Sequence, residues 1–131
     1  MRHSKDLSNY RIEKATDSLK EAVTLLNSGQ FHGAANRSYY CIFHCMRAVL
    51  ALEDVDYKKH SSVISHFRKN YIKTNIFNDR ISQIISDLFE LRNKSDYDDF
   101  FIVAKQEVVE QVANAEYFLK QVKAFLGEIT I

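Results

Sequence analysis

A chain of 131 residues in which 46% are hydrophobic has the length of one domain, taken as residues 1–131, and can bury a core without disulfides or a structural metal. Proline is absent and glycine occurs only at Gly29, Gly33 and Gly127, which leaves little turn chemistry for an all-β fold; a formal charge of +1 excludes strong polyanion attraction through overall charge, though not through a local patch. No apolar run reaches membrane-spanning length and no hydrophobic segment follows Met1-Arg2-His3-Ser4-Lys5-Asp6, so a cytoplasmic, soluble protein with no membrane association is expected.

Taken in order, Ile12, Ala15, Leu19, Ala22, Val23 and Leu26 recur at three- and four-residue steps and predict a helix over 7–28. Glu13, Lys14, Asp17, Lys20 and Glu21 fill its solvated faces, and Gly29 suits the left-handed position past its end. A second helix is predicted over 31–52, with the stripe Phe31, Ala34, Ala35, Ser38, Ile42, Cys45, Met46 and Val49. Small residues Cys41, Ala48 and Ala51 lie beside that stripe, so more than one neighbour can approach closely and this helix should be central. Cys41 and Cys45 have no zinc-type spacing and read as buried free thiols; His44 beside them lacks the further ligands a metal corner needs. Arg37, Tyr39, Tyr40 and His44 sit mid-helix, either as inward rings with satisfied polar tips and an interior imidazole, or as part of a site.

A polar connection over 53–59 leads to a shorter helix through Ser61, Val63, Ile64, Phe67 and Tyr71. Between Tyr57 and Asn78 the chain carries Lys58, Lys59, Arg68, Lys69, Lys73, His60 and His66 and no acid. That basic stretch is either a solvated face balancing acids elsewhere or a phosphate-contacting patch with aromatic help from Phe67 and Tyr71. A fourth helix over 78–93 has the stripe Ile81, Ile84, Ile85, Leu88 and Leu91, and the same periodicity carries Arg92 to the end of the inward row. An inward guanidinium requires an anion, a carbonyl or a second subunit, and Asp96, Asp98 and Asp99 are the local carboxylates; a structural ion pair and a functional site both fit. A last helix over 103–126 carries Val108, Val112, Ala115, Leu119, Val122 and Leu126, with Gly127 past its end. The fold class is therefore all-α, an antiparallel bundle of four long helices and one short one.

Glycine-rich phosphate loops, dinucleotide fingerprints, HExxH and GxSxG are all absent, and no cofactor or metal is expected. The block Ala34-Ala35-Asn36-Arg37-Ser38-Tyr39-Tyr40-Cys41-Ile42-Phe43-His44 resembles a helix of the HEPN superfamily, small helical domains that bind nucleotides or RNA. Lys59-His60-Ser61-Ser62-Val63-Ile64 and Leu88-Phe89-Glu90-Leu91-Arg92 through Asp96-Tyr97 are similar to later segments of a largely uncharacterised prokaryotic branch, in the same order.

The resemblance implies a dimerising helical bundle, often encoded beside a minimal nucleotidyltransferase as the toxin-like half of a toxin–antitoxin pair. It also implies a metal-independent ribonuclease site in which Arg is followed, after four to six residues, by His, two copies meeting across the dimer. Arg92 matches the arginine, whereas the three histidine positions hold Tyr97, Asp98 and Asp99, so whether the chain is an enzyme stays open. A tyrosine is a poor general base near neutral pH. The expected site residues are Arg92, Asp96 and Tyr97 for catalysis, with Arg37, Tyr40, His44 and His60 contacting an RNA or nucleotide. By the same resemblance Tyr97 lies where a partner nucleotidyltransferase transfers AMP. The alternative is a non-enzymatic helical dimerisation module that partners such a transferase.

Overall fold

A computed structural model describes residues 2–129, with the side chains of 3–127 placed. Five α-helices follow in order: α1 (Arg2–Asn27), α2 (Phe31–Ala51), α3 (His60–Phe67), α4 (Asp79–Tyr97) and α5 (Lys105–Ile129); α3 passes directly into a π-helical turn, Arg68–Ile72. Among the described residues there is no β-strand, and no helix is long and apolar enough to cross a membrane.

α2 is the element the others surround. Thirteen of its 21 residues are buried, because Ala, Ser and Cys on its flanks let α1, α4 and α5 all approach it. α1 and α2 form an antiparallel hairpin. Gly29 takes φ +77° at the turn, and the Gln30 amide donates back to Leu25 O at 2.8 Å. At the turn end Gly33 lies against Leu25, where a Cβ would stand 3.1 Å from Leu25 Cδ1. At the far end Ser8 Oγ donates to Ala48 O at 2.8 Å, and Arg11 reaches both Arg47 O and Asp56. Tyr39, Phe67, Phe118, Ile42, Met46 and Leu50 are the bulkiest members of the resulting core.

The structure departs from the sequence reading in ways that matter for the site. α1 begins at Arg2, and Val23, assigned to its apolar stripe, is 41% exposed. The third segment is not one regular helix: the Lys73 amide donates to Arg68 O, five residues back, at 3.0 Å. α4 starts on a side-chain cap from Asn78 to the Ile81 amide and continues to Tyr97, one turn beyond the expected end at 93. Two i,i+4 ion pairs, Glu90–Lys94 at 2.9 Å and Arg92–Asp96 at 3.0 Å, span that added turn. α5 begins at Lys105, and Val103 is buried in the connection instead.

Candidate functional site

In α4, Ile81, Ile84, Ile85, Leu88 and Leu91 are all buried against the core. Arg92 follows Leu88 by one helical turn, so its stem shares the buried row and its head emerges at the seam between α4 and α2, with the side chain 14% exposed. Nε donates to Asp96 Oδ2 at 3.0 Å, Nη2 to the Tyr40 hydroxyl at 3.2 Å, and Nη1 reaches Asn93 Oδ1 only at 3.5 Å. The guanidinium carbon lies 5.3, 5.4 and 5.6 Å from the ring centres of Tyr39, Tyr40 and Tyr97. Three aromatic rings within cation–π range and one carboxylate thus hold this charge at the edge of the bundle.

The α2 side of the seam continues the network. Asn36 Nδ2 donates to the same Asp96 Oδ2 at 3.0 Å, while its Oδ1 accepts from Arg37 Nε and Nη2 at 3.0 and 2.7 Å. Arg37 pairs with Glu21 of α1 at 3.6 Å and lies 5.0 Å from the Tyr40 ring centre, so Tyr40 stands between two guanidinium groups. Asn36, Arg37 and Tyr40 are one helical turn or less apart on one face of α2. Four polar side chains, Arg37, Asn36, Asp96 and Arg92, form a continuous ladder from mid-α2 to the last turn of α4.

His60, the first residue of α3, closes the far side. Its Nδ1 is 3.0 Å from the Tyr39 hydroxyl and its ring stacks on Phe43 with centroids 4.0 Å apart. Burial first, then the positive charges of Arg92 and Arg47, hold its pKa below the ordinary imidazole value. Burial pushes the Tyr39 phenol up to about 12, so Tyr39 keeps its proton and can donate it to His60 Nδ1. The same hydroxyl oxygen can instead accept from His60 Nδ1–H, the tautomer that leaves Nε2 unprotonated.

The structure brings Arg92, Asp96, Tyr97, Arg37 and Tyr40 into one cluster, with His60 joined to it through Tyr39. His44 is set apart. It adjoins Tyr40, with ring centroids 6.0 Å apart, but the charges acting on it include Lys14 and Arg11 of α1. Burial, then Lys14, Arg47, Arg37 and Arg11, lower its pKa to about 4. Its Nδ1 is buried without a hydrogen-bond partner among the described residues. Asp98 and Asp99 make no ion pair with Arg92; Asp96 alone does, because the extended helix places it four residues on.

Asn36 and His32 belong to the neighbourhood and were not singled out from sequence, and Tyr39 was named beside Arg37 and Tyr40 without a role in the expected site. His32 Nδ1 donates to Ser95 O at 2.9 Å and its ring packs edge-on to Phe101. Their signal was position alone: Asn36 and Tyr39 flank Arg37 and Tyr40 on the same helix. Phe101 is half-buried while Phe100 is 94% exposed, with Tyr97 at 72% and Ile102 at 89% beside it. Cys41 and Cys45 are buried and free, as expected. Among the described residues no group of three His, Cys, Asp or Glu side chains could hold a metal ion.

A helical bundle with an arginine, an acid and a tyrosine in the last two turns of its fourth helix defines a class that comparison identifies: residues 8–125 match the HEPN domain, and the chain belongs to that family. Two proteins of Methanocaldococcus jannaschii that bear the name "Putative toxin" are similar to it. One is 32% identical over 96% of this chain and 85% of its own length, the other 30% identical over 90% and 87%. A "UPF0332 protein" of Thermotoga maritima is 26% identical over 98% of each chain.

Proposed function

We propose that this HEPN protein is the toxin-like component of a two-protein system and that it engages RNA or a nucleotide through the Arg92 cluster. The observation that carries the reading is the Arg92 guanidinium itself, fixed at a helix seam by one carboxylate and a phenol, with Nη1 weakly used. A fixed planar fork with donors to spare is the usual means of recognising a phosphate, and a pre-ordered one loses little entropy on binding. The toxin names carried by two relatives support the same direction.

If the site also cleaves RNA, an acid–base group must replace the histidine absent from positions 97, 98 and 99. His60 supports that role best: with Nδ1–H donated to the Tyr39 hydroxyl its Nε2 is free to take a proton, and Arg92 acts on it electrostatically. The test is purified protein against bulk RNA. Cleavage lost in Arg92→Ala is the expected result, and cleavage unchanged in that variant removes the assignment of the site.

A second reading, a non-enzymatic module that partners a minimal nucleotidyltransferase, is favoured by the missing histidine and by Tyr97, whose side chain is 72% exposed and reachable by another protein. Mass spectrometry after incubation with such a transferase and ATP checks it, through an adenylyl increment that Tyr97→Phe abolishes. In the first reading a second copy covers the exposed run of Tyr97, Phe100 and Ile102 next to Arg92. A monomer by light scattering at micromolar concentration would count against that arrangement.

A further inference from the structure

The Arg92 cluster is not where the basic stretch of the sequence ends up. Arg68, Lys69 and Lys73 line a separate groove of about 1090 Å³ between α3, the π-helical turn and α4, whose lining residues include no carboxylate. We propose that this groove binds the phosphate backbone of a single-stranded nucleic acid and feeds it toward Arg92. The inference rests on the reading of the chain as an RNA-engaging protein and adds a binding surface to it.

Three observations carry it. First, the cations are uncompensated. Arg68 donates only to neutral acceptors on α4, to Ser82 Oγ and O at 3.2 and 2.9 Å and to Ser86 Oγ at 2.6 Å. Among the described residues neither it nor Lys69 nor Lys73 has a carboxylate within ion-pair distance. A protein of net charge +1 that leaves three cations unpaired around one concavity concentrates positive potential there. Second, those cations sit on a π-helical turn, with Lys73 donating to Arg68 O; such turns are rare, and they recur at functional sites.

Third, the groove offers stacking surfaces. Phe89 and Tyr57 line it and are 37% and 40% exposed, large rings left in water beside unpaired cations. Cations that track a backbone together with exposed rings for the bases are the combination that holds single strands, whereas an acidic peptide has no use for the rings. A duplex keeps its bases stacked inside and cannot use them either. Phe89 also links the groove to the Arg92 site, since its ring lies 6.0 Å from that of Tyr39, on which the Arg92 guanidinium rests.

The experiment is fluorescence anisotropy of the full chain with a labelled oligouridylate, its oligothymidylate counterpart, an RNA duplex and polyglutamate, each over a range of salt. Lys69 and Lys73 are exposed, so Lys69→Ala/Lys73→Ala leaves the fold intact, which a melting curve verifies. The double variant is expected to flatten the slope of log affinity against log salt by about 1.4, about 0.7 for each single-strand phosphate contact removed. Phe89→Ala is expected to weaken binding by roughly fivefold or more through lost stacking. Equal binding of the RNA and DNA strands assigns recognition to the backbone, and tighter binding of RNA adds a contact to the 2′-hydroxyl; both support the groove. Unchanged affinity and slope in the double variant, preference for the duplex or for polyglutamate, or no binding by the wild-type chain overturns it. The two readings fail separately. A double variant that binds normally while Arg92→Ala loses activity on RNA removes the groove alone, and the opposite pattern removes the Arg92 assignment alone.

Discussion

Two arginine clusters sit at helix contacts of this small bundle and are built in opposite ways. At the far end of the α1–α2 hairpin, Asp56 accepts from Arg11 Nη2 at 3.2 Å, from Arg47 Nη2 and Nε at 2.8 and 3.2 Å, and from the Tyr57 amide at 2.9 Å. Arg11 is 8% exposed and spends its other terminal nitrogen on Arg47 O. The hydrogen bond from Arg47 holds the Asp56 carboxyl below its ordinary value in spite of partial burial. At the α2–α4 seam, Arg92 has one carboxylate, one phenol and a long contact to Asn93, with the exposed Tyr97 ring next to it. An inward arginine is therefore ambiguous by itself. Its partners decide: the Asp56 cluster is closed on protein acceptors and holds two elements together, and the Arg92 cluster is ordered but keeps donor capacity.

Breaking the comparison starts with the closed cluster. Asp56→Ala leaves two guanidinium groups facing each other, one of them buried, and is expected to cost about 2–3 kcal/mol of stability, read from the urea midpoint at constant m-value. Asp96→Ala removes one i,i+4 pair at the rim of the bundle, its side chains 14% and 25% exposed, and should cost about 1 kcal/mol while weakening any RNA engagement, since Arg92 then loses its orientation. Equal stability losses for the two variants would erase the distinction drawn between the clusters.

Acid sensitivity sharpens it further. An unfolded His44 takes a proton below about its ordinary value of 6.5, whereas the folded one resists until about 4. The unfolded state therefore binds more protons in that window, and stability falls as pH drops from 6.5 toward 4. Asp56, with its folded value lowered, acts in the same direction only below its ordinary 3.8. Urea midpoints at pH 7 and 5 should differ in the wild type, and the difference should shrink in His44→Gln without vanishing, because the folded His60 also resists protonation. The smallest expected effect is that of Tyr97→Phe, which should change stability by no more than about 0.5 kcal/mol because the side chain is mostly in water.

The helices and their apolar faces were legible because Ala34, Ser38, Ile42, Cys45 and Val49 in α2, or Ile81, Ile85 and Leu88 in α4, repeat at the helical period and need only one neighbour to bury against. Arg92 was legible for the same reason. Its company was not. Tyr40 is 52 residues away in sequence, and Ser95-Asp96-Tyr97 reads as a polar loop until the Glu90–Lys94 and Arg92–Asp96 pairs extend the helix through it. The π-helical turn has no local signature either, and the rings of Phe67, just before it, and Tyr71, within it, pack on Phe118 and Phe125 of α5, distant in sequence.

The central claim is that Arg92 is held for a ligand more than for the fold, and one paired measurement on Arg92→Ala addresses it: RNA affinity by titration and folding stability by urea, in the same buffer. The account predicts a loss of affinity of at least roughly tenfold, as for a removed charged hydrogen bond, with a stability change of about 1 kcal/mol or less. Unchanged affinity together with a stability loss of about 2 kcal/mol or more would make Arg92 a second Asp56-type clamp and contradict it.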